Sequence, residues 1–254
     1  MEHKEGAFKG VDDLKLYYQC WLPEDEPEVV LLIVHGLGEH CGRYSNVVNH
    51  FVPKGYAVYG FDHPGHGKSQ GTRLFINRFN DFIGNLKLFF DRVRQEQSGK
   101  KIFFVGHSMG GLITAAYLIK FQKELDGAVI SAPAVKVPDD LSSIALFAAK
   151  ILSNILPKTG IQQLDVQGIS SDPKVVKAYI DDPLVCNKKI TARLAVELLN
   201  AMETVFDRAD KITFPLIILQ GAADTLVDPE GARMFHENVG SKDKTLYIYD
   251  GFFH

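Results

Sequence analysis

The sequence predicts an α/β protein with a mostly parallel central sheet, helices on both faces and a helical insertion late in the chain. Two observations predict the sheet. Short apolar runs alternate with longer segments of helical spacing, and each of the first two runs stops at His or Asp beside a loop. Strands apolar on both faces, separated by helices, fit a sheet that is covered on both sides. A third observation predicts the insertion. From about residue 134 to 212 no strand-like run occurs, while helical patterns continue.

The elements follow in order. "LKLYYQCWL" alternates polar and apolar residues and predicts an antiparallel edge strand. "VVLLIV", Val29 to Val34, is a buried strand that ends at His35-Gly36. "YAVYGF", Tyr56 to Phe61, is a second that ends at Asp62. Phe75 to Gln97 places Phe79, Phe82, Ile83, Leu86, Phe89, Phe90 and Val93 on one helical face. Ile102 to Val105 predicts a strand, Gly111 to Phe121 a helix, and Ala128 to Ser131 a strand. Leu216 to Leu219 and Thr245 to Tyr249 are the last two strands. In the insertion, helices are predicted at Leu141 to Leu156, after Asp172-Pro173, and over Ala192 to Phe206. Asp172 is an N-cap residue, and a proline at the first helical position lacks an N–H that would be unpaired there in any case. The domain division is therefore 1–133 with 213–254 as the core and 134–212 as a cap.

Bulk properties bound the function. The chain has 254 residues, 46% hydrophobic and 23% charged, with a formal net charge of −3. That charge argues against a nucleic-acid partner, which selects a basic stripe, and against electrostatic docking on anionic lipid. Three widely spaced cysteines, Cys20, Cys41 and Cys186, read as reduced thiols of a cytoplasmic protein rather than a disulfide framework. The start "MEHKEGAFKG" has no apolar core of a secretory signal, and no run approaches the roughly 18 apolar residues of a membrane span.

The chemistry centres on "GHSMG", Gly106 to Gly110. Five residues with three fixed carry little information alone. Here they follow the strand "KIFFV" and precede the helix "GLITAAYLIKF". A serine on such a turn is pushed out of the sheet with its Oγ accessible, and the glycines give the turn room. The helix start aims amide N–H groups at any developing oxyanion. Serine needs a general base, and the base needs an acceptor to fix its tautomer. Asp224 lies just past the strand "PLIILQGAA" and is the candidate acceptor. Asp228 competes, but Pro229 after it marks Asp228 as a helix N-cap. Asp207 and Asp210 fall before the strand. His254 follows the strand "TLYIY" and the turn Asp250-Gly251, at the carboxyl edge where active residues of open parallel sheets collect. A second oxyanion donor is expected from "HGLGEH", with the Leu37 amide converging on that of Met109. His35 is expected to hydrogen-bond within its loop.

These stretches resemble the α/β-hydrolase superfamily, and within it the monoacylglycerol lipase and lysophospholipase-like group. "HGLGEHCGRY", "FDHPGHGKSQG", "GHSMGG", "GAADTLVDP" and "GFFH" carry the resemblance over nearly the whole chain. It implies Ser108 as nucleophile, His254 as base, Asp224 as its orienter, and Leu37 and Met109 as amide donors. It also implies that Glu39 and Arg43 organise the polar end where a glycerol head group sits; the plain alternative is a solvated ion pair. Such chains continue past the histidine into a last helix, so a natural C-terminus beyond residue 254 is expected. The implied reaction is hydrolysis of a small lipid ester, monoacylglycerol first, without a cofactor. A general carboxylesterase or a lysophospholipase on the same machinery is the alternative, and a non-catalytic binding protein predicts a broken triad.

Other features have plainer readings. "GFDHPGHGKS" has Asp62 where a phosphate loop needs glycine, so it reads as a structural loop. His63 and His66 lack a further ligand cluster, and no metal is expected. His107 is expected to point away from Ser108 as a packing residue. In Leu141 to Leu156, a stripe of Leu141, Ile144, Ala148, Ile151 and Ile155, widened by Phe147, Leu152 and Leu156, holds one charge, Lys150. That face packs on the core, or part of it lines an acyl-chain tunnel or touches membrane, and the two readings are compatible.

Overall fold

The computed structural model describes residues 1–139 and 142–254. An eight-stranded sheet runs in the order β1 (Glu2–Lys9), β2 (Lys15–Leu22), β4 (Tyr56–Phe61), β3 (Val29–Val34), β5 (Lys101–His107), β6 (Gly127–Ser131), β9 (Leu216–Gly221), β10 (Lys244–Tyr249). β1 and β2 are antiparallel to their neighbours, and the strands from β4 to β10 pair in parallel. The longer helices are α1 (Ser45–Phe51), α2 (Phe79–Glu96), α3 (Met109–Phe121), α4 (Ser143–Ile155), α5 (Pro173–Asp181), α6 (Ala192–Asp207) and α7 (Pro229–Asn238).

The β-branched runs became the central strands because both their faces are covered. Val30, Leu32 and Val34 enter one core layer, and Leu31 and Ile33 the other. The larger layer is aromatic. Phe82, Phe89 and Phe90 of α2, all fully buried, pack with Phe61, Phe104 and Tyr117. Each such side chain contributes roughly 1.5–3 kcal/mol of burial.

Two expectations need correction. "LKLYYQCWL" is not the edge: β2 lies between β4 and β1, and β1 is the edge strand. β1 escapes notice because it is solvated on nearly every position and carries a charged, alternating sequence. Such residues are usual on edge strands, where they discourage further pairing. Helix α2 also starts at Phe79 rather than Phe75. Arg78 is extended, and its N–H donates to the Asp81 carboxylate at 3.2 Å, which fixes the first turn there.

Between β6 and β9 the chain forms α4, α5 and α6 together with a short antiparallel pair, β7 (Gly160–Gln162) with β8 (Ile190–Thr191), which the sequence reading did not anticipate. Three and two residues are too short for a periodicity to register. α6 packs on α2 and α3 and accepts the Phe79 N–H on Glu197 Oε2 at 2.8 Å, so the end of the insertion is tied to the core. α4 packs on α6. Its apolar stripe faces outward: Ile144, Phe147, Ile151 and Ile155 are exposed, Ile144 by 82%. Leu141, the first residue of that stripe, lies outside the described residues. Leu146 and Ala149 turn inward instead.

Candidate active site

β5 runs into α3 through a single residue, Ser108, at φ 54 and ψ −118. Side chains rarely adopt that left-handed backbone, and the strain is held by three bonds. The Ser108 N–H donates to the Ser131 carbonyl at 2.9 Å, and its own carbonyl accepts from Leu112 at 3.1 Å and Ala134 at 3.3 Å. The turn is tight enough that a Cβ on Gly110 would overlap the Val34 carbonyl oxygen, so the start of α3 abuts the end of β3. The loop after β3 comes equally close. A Cβ on Gly36 would lie 3.3 Å from Cβ of Ser108. Leu37 and Met109 thus lie on either side of this contact, and among the described residues neither amide donates to a protein acceptor.

Asp224 follows β9 and its side chain is fully buried. Its Oδ1 accepts the N–H groups of Leu226 at 2.8 Å and Val227 at 3.1 Å. Its Oδ2 accepts from His254 Nδ1 at 2.8 Å and from Gln220 Nε2 at 3.0 Å. Burial alone would raise this carboxyl. The hydrogen bond from His254, that ring's charge and the two amides outweigh it and hold the pKa below the ordinary aspartate value. An ionised Asp224 fixes the proton of neutral His254 on Nδ1, which leaves Nε2 as the basic nitrogen. Asp228 instead caps α7, accepting the Glu230 N–H at 2.9 Å, and pairs with Lys136.

Ser108 and His254 line one cavity of about 500 Å³ with Leu37, Met109, Glu39 and Arg43. Most of its wall is apolar and comes from the insertion: Leu146, Ala149, Leu164, Ile169, Val175, Ile190, Leu198, Leu199 and Met202. Glu39 and Arg43 are the charged side chains of its lining, and they are not a solvated pair. Glu39 is 12% and Arg43 18% exposed at the side chain. Glu39 Oε1 accepts the Gly36 N–H at 2.6 Å and the Tyr44 hydroxyl at 2.7 Å, while its Oε2 lies 3.6 Å from Arg43 Nε. Burial, then the Glu39 charge, holds the Tyr44 hydroxyl well above its usual pKa, so it donates.

His107 does not turn from the site. Its ring lies against that of His254 at 4.7 Å between centroids, and burial followed by the nearby His254 pushes its pKa down to about 4. His35 bridges two loops: Nδ1 donates to the Gly36 carbonyl at 2.8 Å, and Nε2 accepts the His63 N–H at 2.9 Å. The Gly-Lys-Ser stretch is organised by Asp62, whose carboxylate accepts the Lys68 N–H at 2.8 Å and the Cys41 N–H at 2.9 Å. The sequence reading missed Gln220 and Tyr44. Gln220 sits one turn of chain before Asp224, directly at the strand end, which was the available signal.

Residues 25–254 match the model of the family described as serine aminopeptidase, S33. The chain belongs to that family. Within it, the chain is 34% identical over 250 residues to the monoacylglycerol lipase of Mycolicibacterium smegmatis, covering 98% of this chain and 89% of that one. It is 33% identical over 244 residues to human monoglyceride lipase, covering 96% and 80%. The crystal structure of Paleococcus ferrophilus monoacylglycerol lipase superposes with a TM-score of 0.81 at 33% identity, covering 100% of this chain and 91% of that one. This S33-family chain therefore has the α/β-hydrolase fold of an ester hydrolase, and the three relatives above are named as monoacylglycerol or monoglyceride lipases.

Proposed function

We propose that the protein is a serine hydrolase that cleaves monoacylglycerols to glycerol and free fatty acid. The observation that supports this most is the Asp224–His254 hydrogen bond together with a strained Ser108, both His254 and Ser108 lining one mostly apolar cavity whose charged side chains are Glu39 and Arg43. In this reading Ser108 Oγ attacks the ester carbonyl while His254 Nε2 takes its proton. The Leu37 and Met109 amides receive the oxyanion. Collapse breaks the ester C–O bond, and the proton on Nε2 passes to the departing glycerol oxygen. Water, deprotonated by His254, then attacks the acyl-enzyme and releases the fatty acid with Ser108 restored. Asp224 stabilises the imidazolium in both halves. No cofactor enters.

The apolar lining suits an acyl chain, and Glu39 with Arg43 suits the hydroxyl groups of a glycerol head group. We assign 1–133 and 213–254 to the core and 134–212 to a cap that completes the site. The outward face of α4, with Ile144, Phe147 and Ile155, is where the cap would meet a lipid surface. No helix among the described residues is long and apolar enough to cross a membrane. The three thiols are unpaired, as in a reducing, cytoplasmic setting.

The test is kcat/KM over a monoacylglycerol series, beside a short p-nitrophenyl ester and a lysophospholipid, with Ser108→Ala as blank. Preference for monoacylglycerol, with a loss on the order of 10⁶ in the blank, is expected. Residual turnover above about 1% in the blank would remove Ser108 as nucleophile. Activity confined to the short ester would keep the triad and favour a general carboxylesterase.

A further inference from the structure

The loop after β3 carries the Leu37 amide, yet it has little secondary structure of its own to hold that amide in place. Gly38 within it stands at φ +78, and the following Cys41–Arg43 turn is a single 3₁₀ turn. From the core side, Glu39 pins the loop through the Gly36 N–H. From the other side it is gripped by the insertion. Asp182 ends α5, and its Oδ1 accepts the Leu184 N–H at 2.9 Å. Its Oδ2 accepts from His40 Nε2 at 2.9 Å. Four residues on, the Cys186 N–H donates to the Gly38 carbonyl at 2.7 Å.

These contacts are well made. His40 Nδ1 accepts the Gly42 N–H at 3.2 Å, so Nε2 carries the N–H that donates to Asp182 Oδ2. The His40 side chain is 10% exposed and that of Asp182 21%, which spares the pair most of the screening that weakens surface bridges. Arg43 places its cation 3.6 Å from Asp182 Oδ2, and its guanidinium lies 4.7 Å from the centre of the Tyr179 ring of α5. One carboxylate of the insertion therefore meets two side chains of the oxyanion loop, across 142 residues of sequence.

We propose that Asp182 is a positioning residue: through His40 it sets the place of the Leu37 amide, so the insertion helps build the oxyanion hole as well as the acyl site. This rests on the reaction proposed above. Asp182 touches no reacting atom. Its effect is on transition-state geometry, where a misplaced donor costs much and substrate binding little.

The test uses a short soluble p-nitrophenyl ester, which needs none of the acyl walls. Asp182→Ala and His40→Ala are each expected to lower kcat 10- to 100-fold, with KM within about threefold of wild type. The double variant should be no worse than the poorer single one, because both remove the same bond. Exposed Lys177→Ala on the same helix serves as the control for α5 itself. Melting curves and fluorophosphonate labelling accompany the kinetics, all taken well below the melting temperature. Labelling should slow in proportion to kcat yet go to completion. If Asp182→Ala does not fold, His40→Ala carries the same thresholds. A kcat within threefold of wild type, losses that multiply in the double variant, or a loss expressed in KM alone would overturn the proposal. A wild-type protein that neither labels nor turns over any ester would instead overturn the reaction itself.

Discussion

Replacing Asp224 by Asn should separate activity from stability. Four donors converge on this carboxylate: the Leu226 and Val227 amides on Oδ1, and His254 Nδ1 and Gln220 Nε2 on Oδ2. An asparagine side chain has one acceptor oxygen and one NH₂ group, so two of the four donors must face an N–H. The backbone amides cannot adapt. The two side chains can. His254 can move its proton to Nε2 and accept on Nδ1, and Gln220 can turn its amide to present Oε1, which has no partner among the described residues. The oxygen of the substituted amide is therefore expected to face Leu226 and Val227. The cost is the Gln220 Nε2 bond to the Gly221 carbonyl, 3.1 Å in wild type, on the order of 1 kcal/mol. For a chain of this size that lowers the melting temperature by about 2–4 °C. The chemical cost is far larger, because a proton on Nε2 leaves Ser108 without a base. A loss of about 10⁴ in kcat is expected. The assay is kcat on a soluble p-nitrophenyl ester at neutral pH beside a thermal melt. Activity above about a tenth of wild type would refute the tautomer reasoning. A variant that fails to fold would refute the accommodation by His254 and Gln220.

The remaining predictions concern pH and the cap. His107 is held near pKa 4 when folded, against 6.5 as the ordinary value, so the unfolded chain takes up the proton first. Its stabilising contribution is complete above pH 6.5 and is lost on the way down to about pH 4, on the order of 3 kcal/mol in all. His107→Phe should flatten that part of the stability–pH curve in denaturant titrations between about pH 7.5 and 4.5, and an unchanged slope would count against it. Asp224 acts in a lower window. Its depressed pKa adds stability above the ordinary value of 3.8 that is lost as pH falls through the folded pKa, and Asp224→Ala should lack this acid limb. On α4, Ile144→Ser with Phe147→Ser should reduce partition onto neutral phospholipid vesicles at least tenfold, since burying each side chain is worth roughly 1.5–3 kcal/mol. Turnover of the short ester should stay within twofold, and undiminished vesicle binding would exclude this face as the lipid contact.

Local pattern encodes a large share of this fold. Continuous apolar runs have only one stable home, a strand covered on both faces, so β3 and β4 were legible with their ends, while β5 and β9 were legible but run two residues further at their carboxyl ends than expected. Glycines around Ser108 declared a turn that admits no Cβ, and Asp228-Pro229 declared a helix cap rather than a catalytic acid. Other features depend on partners far apart in the chain and emerge only on folding. The stripe on α4 reads the same whether it faces core or solvent, because periodicity gives a face and not its neighbour. β1 carries charges that mark no strand, and only its ladder with β2 makes it one. Gln220 acquires a role because Asp224 curls back onto it, and His107 because the last residue folds against its ring. Asp182 and His40 meet across 142 residues because the insertion returns over the carboxyl edge of the sheet. A sequence states which side chains can bond; closing the loops between them decides which ones do.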